Sequence, residues 1–316
     1  MQRWGVHPSG SQRWRCPICK KNTVWKRKDN RDSSRLSLFV QWILSKSTLH
    51  EIARKQGVSI QTVITWFRPF WKYSPKSVYT YPVRVLVLDA TSVTKRHCML
   101  LIAGDDDRRM PVGWLPVIRE CLPSWATFLN CLSDTMQAPA VVVCDGQRGL
   151  LKAIHIVWPN TLIQRCLVHV IRQASAWLTQ HPKTRAGQEL LVLVEQLKYI
   201  RTRRQKRRWI RAFRKWDKRF ALFLTERTTT WNGRWWYTHR KLRGTRSLIS
   251  NAFPDLFRFV TDPTIPRTSN HVEGGINARL KELFRCHRGL TTTKKLALAS
   301  WYLVLRQGQK PTRFFN

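Results

Sequence analysis

The spacing of apolar residues changes period along the chain, and each change predicts a new kind of element. From Arg35 onward, Leu36, Phe39, Val40 and Ile43 recur at three- and four-residue steps, which predicts a helix. Two shorter helices follow. Thr48 with Glu51 three residues on forms a capping box that opens HEIARKQ, and Gly57 supplies the turn. Ser59 then caps IQTVITWFR, which is expected to end before Pro69. A helix, a Gly-containing turn and a helix make up the helix-turn-helix arrangement, whose second helix enters the major groove. In that reading Gln61, Thr62 and Thr65 face the bases; a generic three-helix packing unit is the alternative.

After YSPKSVYTYP the pattern turns to strands. VRVLVLDATSV is an almost continuous apolar run of the kind covered on both faces, and Asp89 is read as ending it. HCMLLIAG and MPVGWLPVI are two further strands around GDDDRR, so Asp105 to Asp107 are read as hairpin residues. PSWATFLNCLSD is a helix, APAVVVCDG the next buried strand with Asp145 at its end, GLLKAIHIVWP a helix and TLIQRC a strand. Three antiparallel strands followed by alternating helix and strand describe a mixed α/β sheet in the order of a ribonuclease-H-like core.

From Leu167 to Asn251 the chain is helical and basic. Trp209, Phe213, Trp216 and Phe220 form one stripe, read as core packing, and Arg204, Arg208 and Arg211 lie on the faces left for phosphate. Ser269 or Asn270 caps a helix beginning HVEGGINARLKELF, and TKKLALASWYLVLR is a last amphipathic helix. The expected organisation is a partial zinc-ribbon-like segment and basic linker KRKDNRD over 1–33 and an all-α helix-turn-helix domain over 34–73. The first part of the α/β core spans 82–166, a large all-α basic insertion 167–252, and the last part of the core with C-terminal helices 253–316.

Composition narrows the partner. Of 316 residues 43% are hydrophobic, enough for one sizeable core with small satellites. The formal charge of +39 and pI near 11.2 describe a protein that meets a polyanion, nucleic acid rather than a membrane surface. The chain has no apolar run near the roughly 18 residues of a membrane span, and MQRWGVHPSG lacks a signal peptide's apolar stretch, so a cytoplasmic, DNA-associated protein is expected. Eight scattered cysteines do not suggest a disulfide framework. Cys16 and Cys19 in RWRCPIC have the spacing of one zinc knuckle, with His7 the one upstream candidate, so the Zn²⁺ site reads as incomplete. A chain that begins inside a ribbon whose first knuckle is missing would explain it.

With 57 Lys and Arg against 18 Asp and Glu, carboxylates at the ends of buried elements need a reason. Asp89, Asp145 and Glu273 together are a donor set for two Mg²⁺ (or Mn²⁺) ions that clamp the attacking and leaving oxygens of a phosphodiester. Glu273 lies in the first turn of its helix, with Asn277 and Lys281 following at four and eight residues on the same face, to orient the carboxylate or meet phosphate.

VLVLDATSV, VVVCDGQRGLLKAI, IQRCLVHVIRQ and IPRTSNHVEGGINARLKELFRCHRGL, in order over roughly residues 83–306, resemble the bacterial Mutator-like transposases, DDE enzymes of insertion sequences. The resemblance implies that Asp89, Asp145 and Glu273 are the metal-binding catalytic triad and that Cys166 and His169 are a signature at the entrance of the insertion. It further implies double-stranded DNA partners, both element terminal inverted repeats and target, a homodimer or higher multimer on DNA, and no nucleotide cofactor. Cys166 and His169 allow three readings: zinc with His155 or Cys144, a structural role, or substrate positioning near Asp145. His271 is read as a neighbour of the site rather than a ligand. The rival functions are a nuclease of the same fold that only hydrolyses and a DNA-binding regulator with a dead core.

Overall fold

The computed structural model describes residues 1–8, 10–24, 31–94 and 98–309, with backbone alone for Arg31 and Asp32. Of the linker KRKDNRD expected over 26–32, residues 26–30 lie outside the described residues, as does the tail from 310, while Arg31 and Asp32 already belong to the first helix. The chain divides into two compact units, one up to Lys72 and one over Tyr73–Gln309.

The first unit opens with strands β1 (Gln2–Val6), β2 (Gln12–Arg15) and β3 (Asn22–Val24) in an antiparallel sheet of that order. Helices α1 (Arg31–Leu44), α2 (Leu49–Gln56) and α3 (Ile60–Lys72) follow. The Thr48–Glu51 capping box forms reciprocally, Gly57 caps α2 in the left-handed region, and the Ser59 hydroxyl accepts the Thr62 amide. The expected stop before Pro69 does not occur: α3 runs through it to Lys72. Interior proline costs a helix about 3 kcal/mol. Buried Phe70 packs its ring 5.1 Å from Phe39, and Trp71 meets Phe39 and Trp42 edge-on at 5.0 and 5.6 Å. Burial of about 1.5–3 kcal/mol per large apolar side chain offsets the proline.

The second unit is built on a mixed five-stranded sheet. Its strands are β4 (Val85–Thr94), β5 (Cys98–Asp105), β6 (Met110–Val117), β7 (Val141–Cys144) and β8 (Leu162–Arg165), ordered β6-β5-β4-β7-β8. The first three pair antiparallel, while β7 is parallel to both β4 and β8. Asp89 does not end its strand. The fully buried run stops at Leu88, but β4 continues to Thr94 against β5 alone. Helices α4 (Leu122–Ser133) and α5 (Arg148–Val157) cover one face, where Leu86, Leu88, Val142 and Cys144 join Trp125, Phe128, Leu150 and Ile154 in one core. Because strand side chains alternate, Val85, Val87 and Asp89 point to the other face.

The segment after β8 carries α6 (Leu167–Leu178), α7 (Arg185–Gln196), α8 (Arg203–Arg219), strands β9 (Arg227–Thr229) and β10 (Trp235–Tyr237), and α9 (Arg240–Ala252). The expectation of an all-α insertion is therefore corrected: β9 and β10 pair as an antiparallel hairpin. Threonine and aromatic runs on either side of Asn232–Gly233, with Gly233 at φ 77°, are hairpin chemistry. On α8, Trp209, Phe213 and Trp216 are buried, and their indoles donate to Leu193 O at 2.7 Å and Ala186 O at 2.9 Å.

After α10 (Arg258–Thr261) the chain enters a π-helical turn, His271–Asn277, that leads into α11 (Ala278–Cys286) and then α12 (Thr292–Arg306). Neither Ser269 nor Asn270 caps the turn with its side chain; the Ser269 carbonyl accepts the amides of Val272 and Glu273. From Ala297 to Val304 every residue of α12 is buried, so this helix is interior rather than amphipathic. All eight cysteines are free, and among the described residues no helix is long and apolar enough to cross a membrane.

Candidate active site

Strand register brings the two aspartates together. β4 and β7 pair Val85 with Val141 and Val87 with Val143, so two further residues along the same register set Asp89 across from Asp145. Asp145 stands just past the end of β7, on a turn that only glycine permits. Gly146 has φ 87°, and a Cβ there would stand 1.7 Å from Arg165 Nε. Arg165 Nε donates to Asp145 O at 3.3 Å, and the Gln147 amide donates to Asp145 Oδ1 at 2.9 Å. Backbone and side chain of Asp145 are thus both fixed.

Asp89 is partly buried, and its carboxyl is pushed up to about 6. Desolvation is the main cause; the negative charge of Asp145 adds to it, while His169, the Ala90 amide and Asn277 pull the other way. Asn277 Nδ2 donates to Asp89 Oδ2 at 2.7 Å. The sequence reading places Asn277 beside Glu273 on an α-helical face, but the π turn widens the spiral and Asn277 reaches the sheet instead. Gly104 on β5 allows that approach, since a Cβ there would lie 2.7 Å from Val272 Cγ2.

Glu273 is engaged by cations from α6. Arg172 donates to Oε1 at 2.6 Å, and His169 Nε2 lies 3.8 Å from Oε2. Burial raises the Glu273 carboxyl, but Arg172, His169 and the charge of Lys281 outweigh it and hold it below its ordinary value. His169 is pushed up to about 9 by Cys166 beside it and by the charges of Glu273 and Asp89, against the opposing effect of burial. Burial also raises the Cys166 thiol, yet hydrogen bonds from His169 and from the Ser269 amide, 3.3 Å from Sγ, bring it below its ordinary range. The raised value favours the protonated imidazole of His169, whose Nε2 faces Glu273.

Two residues of this neighbourhood escape the sequence reading. Arg172 sits three residues after His169, a spacing that shares a helix face. Glu120 precedes the Pro-led start of α4; its carboxyl is raised by burial and then by the charges of Asp145 and Asp89. Trp125 Nε1 donates to Glu120 Oε1 at 3.2 Å, and Gln147 Nε2 donates to Glu120 O at 3.4 Å. An acid directly before a Pro-led helix start, in so basic a chain, is the signal that marks it.

Among the described residues no three His, Cys, Asp or Glu side chains stand together at metal-ligand separation. Asp89 and Asp145 converge, whereas Glu273 turns to Arg172. The hard oxygens and surplus negative charge at Asp89 suit a divalent cation such as Mg²⁺. Zinc at Cys166 is less well served: Cys144 lies in the apolar core under α4 and α5, and His155 is exposed on α5. Cys16 and Cys19 share the turn between β2 and β3, where the amides of Cys19 and Ile18 lower the Cys16 thiol. Asp105 accepts the amides of Asp107 and Arg108 in the β5–β6 turn, and His271 is buried against Arg109 and Asp106 of that turn.

The residues expected to meet DNA are solvent-facing. Gln61 and Thr65 are exposed and Thr62 partly so on α3; the Thr65 hydroxyl donates to Gln61 O, and the Thr62 hydroxyl bonds to that of Ser59. Arg204, Arg208 and Arg211 are exposed on α8, away from its aromatic stripe, and Lys281 is exposed on α11.

Comparison with known proteins places this geometry in context. The profile of the family described as "Transposase, Mutator family" matches residues 40–253. A probable transposase for an insertion sequence element from Corynebacterium diphtheriae is 30% identical over 104 residues, 32% of this chain and 30% of that protein. The transposase for insertion sequence element IS6120 from Mycolicibacterium smegmatis is 35% identical over 98 residues, 29% of this chain and 30% of its own length. The transposase for insertion sequence element IS256 in transposon Tn4001 from Staphylococcus aureus is 32% identical over 77 residues, 24% of this chain and 20% of its length. The chain thus matches less than a third of the length of each of these relatives.

Proposed function

Because the chain belongs to the Mutator family of transposases, we propose that it cuts DNA at the ends of an insertion sequence and joins the freed ends to target DNA. The observation that carries this reading is the β4–β7 register, which sets a desolvated Asp89 against Asp145 just past the end of β7, in the interior of the sheet. The strand order β6-β5-β4-β7-β8, with the first and fourth strands of the core adjacent, supports a ribonuclease-H-like core. The order α2, Gly57, α3 supports a helix-turn-helix that reads sequence through Gln61, Thr62 and Thr65. The domain limits of the sequence reading are kept with it, apart from the hairpin inside the insertion and the first limit, which moves from 33 to 30 because α1 starts at Arg31.

Asp89 and Asp145 are the residues that would hold the cation, with Glu273 as third carboxylate once it leaves Arg172. Bound there, Mg²⁺ or Mn²⁺, as two ions, would lower the pKa of the attacking hydroxyl and neutralise charge developing on the phosphate. The chain's own groups supply the rest. Asn277 holds Oδ2 of Asp89, and the Gly146 turn with the Gln147 amide fixes Asp145. The positive charge favoured at His169 offsets the negative charges of Asp89 and Glu273. Water attacks first and leaves a 3′-hydroxyl, which then attacks target DNA; both are in-line displacements that need neither a protein adduct nor ATP.

Exposed Arg204, Arg208 and Arg211 supply sequence-independent grip on phosphate, which favours a long DNA partner over small hydrolytic substrates. Two element ends call for two sites, hence a homodimer or larger assembly on DNA. Cys16 and Cys19 provide half of a tetrahedral zinc set. The test is incubation of the purified chain with labelled duplexes carrying the element ends, target plasmid and Mg²⁺. Nicked ends and joined products are expected. Nicking without joining would reduce the activity to hydrolysis, and binding without nicking would reduce it to regulation.

A further inference from the structure

The β9–β10 hairpin presents aromatic surface to solvent. Trp231 at its tip is 99% exposed, and Trp235 and Trp236 on β10 are 48% and 41% exposed. A lone exposed apolar residue is ordinary; three indoles on one two-stranded element are not. The tip is ordered rather than loose. The Thr230 amide donates to Arg234 O at 2.8 Å, the Gly233 amide to Thr230 O at 3.0 Å, and the Arg234 amide to Asn232 Oδ1 at 3.3 Å. Trp231 is therefore held out into solvent by a closed turn.

Charge selects the partner. Residues 227–243 contain Arg227, Arg234, Arg240, Lys241 and Arg243 and no Asp or Glu, while Glu226 just before them pairs with His239 and Arg246 just after them pairs with Asp217. Arg227 stacks 4.0 Å from the Trp235 ring centroid, and Arg243 lies 3.5 Å from that of Tyr237. These guanidiniums brace the rings and make the face positive as well as aromatic. An apolar protein groove would leave the arginines unpaired, whereas a nucleic acid offers both a π-face and phosphates.

We propose that the hairpin is a DNA contact in which Trp231 stacks on the face of an unpaired base while Arg234 and Arg227 meet the adjoining phosphates. Paired DNA hides base faces in its own stack, so a projecting indole engages only where a base has left it. This rests on the DNA-partner part of the proposed function and not on cleavage. Cleavage can fail with the contact intact, or the reverse.

The experiment uses the full chain without divalent metal and two duplexes of one sequence, one fully paired and one with a single unpaired 2-aminopurine. Wild type should prefer the unpaired-base duplex and quench the probe on binding. Trp231→Ala should lose the quench and bind that duplex about tenfold more weakly while holding the paired duplex within about twofold; Trp231→Phe should retain most of both. Wild-type quench and affinity in Trp231→Ala overturn the proposal. So does a Trp231→Ala chain that sediments as a smaller species than wild type with both DNA affinities unchanged, which would make the tip a surface between copies of the chain.

Discussion

The side-chain amide of Asn277 donates to Asp89 Oδ2 at 2.7 Å, tying the π turn that carries Glu273 to the middle of the central strand. One hydrogen bond thus orients one carboxylate and anchors the segment that bears another. Asn277→Ala should lower the cleavage rate roughly 10- to 100-fold, the usual effect of removing a group that orients a metal ligand, while DNA affinity stays near wild type. Single-turnover cleavage and a binding titration measure the two separately.

Asp89 also links the site to stability. Folded Asp89 holds its proton up to about pH 6, whereas the ordinary value is 3.8. Between those values the folded state binds more protons than the unfolded one, so this group makes stability fall as pH rises through the window. Asp89→Asn removes the penalty and should stabilise the metal-free protein at pH 7 by on the order of 2–3 kcal/mol, with the gain shrinking toward pH 4. Urea unfolding of both proteins at several pH values gives the difference directly.

Arg172 competes with any cation for Glu273. Its side chain is 63% exposed, so the pair contributes at most about 1 kcal/mol. Arg172→Ala should therefore lower the Mn²⁺ concentration that half-saturates thermal stabilisation by up to about fivefold. A higher requirement would mean that Arg172 helps to hold the site together instead of masking it.

The α8 arginines should act on all DNA alike. Neutralising Arg204, Arg208 and Arg211 together should flatten the log–log salt dependence of binding by up to about 2.7, at roughly 0.9 per phosphate contact. Ala at Gln61 and Thr62 should leave that slope unchanged and reduce preference for element ends. An unaltered slope after the arginine changes would remove α8 from the DNA interface.

Apolar runs make the sheet strands legible because a strand buried on both faces admits little else, and Asp89 and Asp145 stand out against them. Register is a different matter: pairing of Val87 with Val143 depends on how β4 and β7 meet, which neither segment encodes alone. Glu273 is visible as a helix-start acid, but the π turn is not, since it depends on Gly104 giving room to Val272 from another strand. Pro69 misleads because a local rule is overridden by the distant ring of Phe39. The β9–β10 hairpin was within reach, for Asn232–Gly233 between threonines and tryptophans is a turn signal that the surrounding helical, basic pattern obscured.

The central claim is that Asp89 and Asp145 together hold the cation that drives strand cleavage. Its most direct measurement is Mn²⁺-dependent, single-turnover cleavage of a labelled element-end duplex by wild type and by Asp145→Asn, with DNA affinity determined in parallel. The account predicts a new 3′-hydroxyl end with wild type and none detectable with the variant, at DNA affinities within about twofold because the proposed phosphate contacts lie on other residues. Cleavage by Asp145→Asn at a rate close to wild type would contradict it.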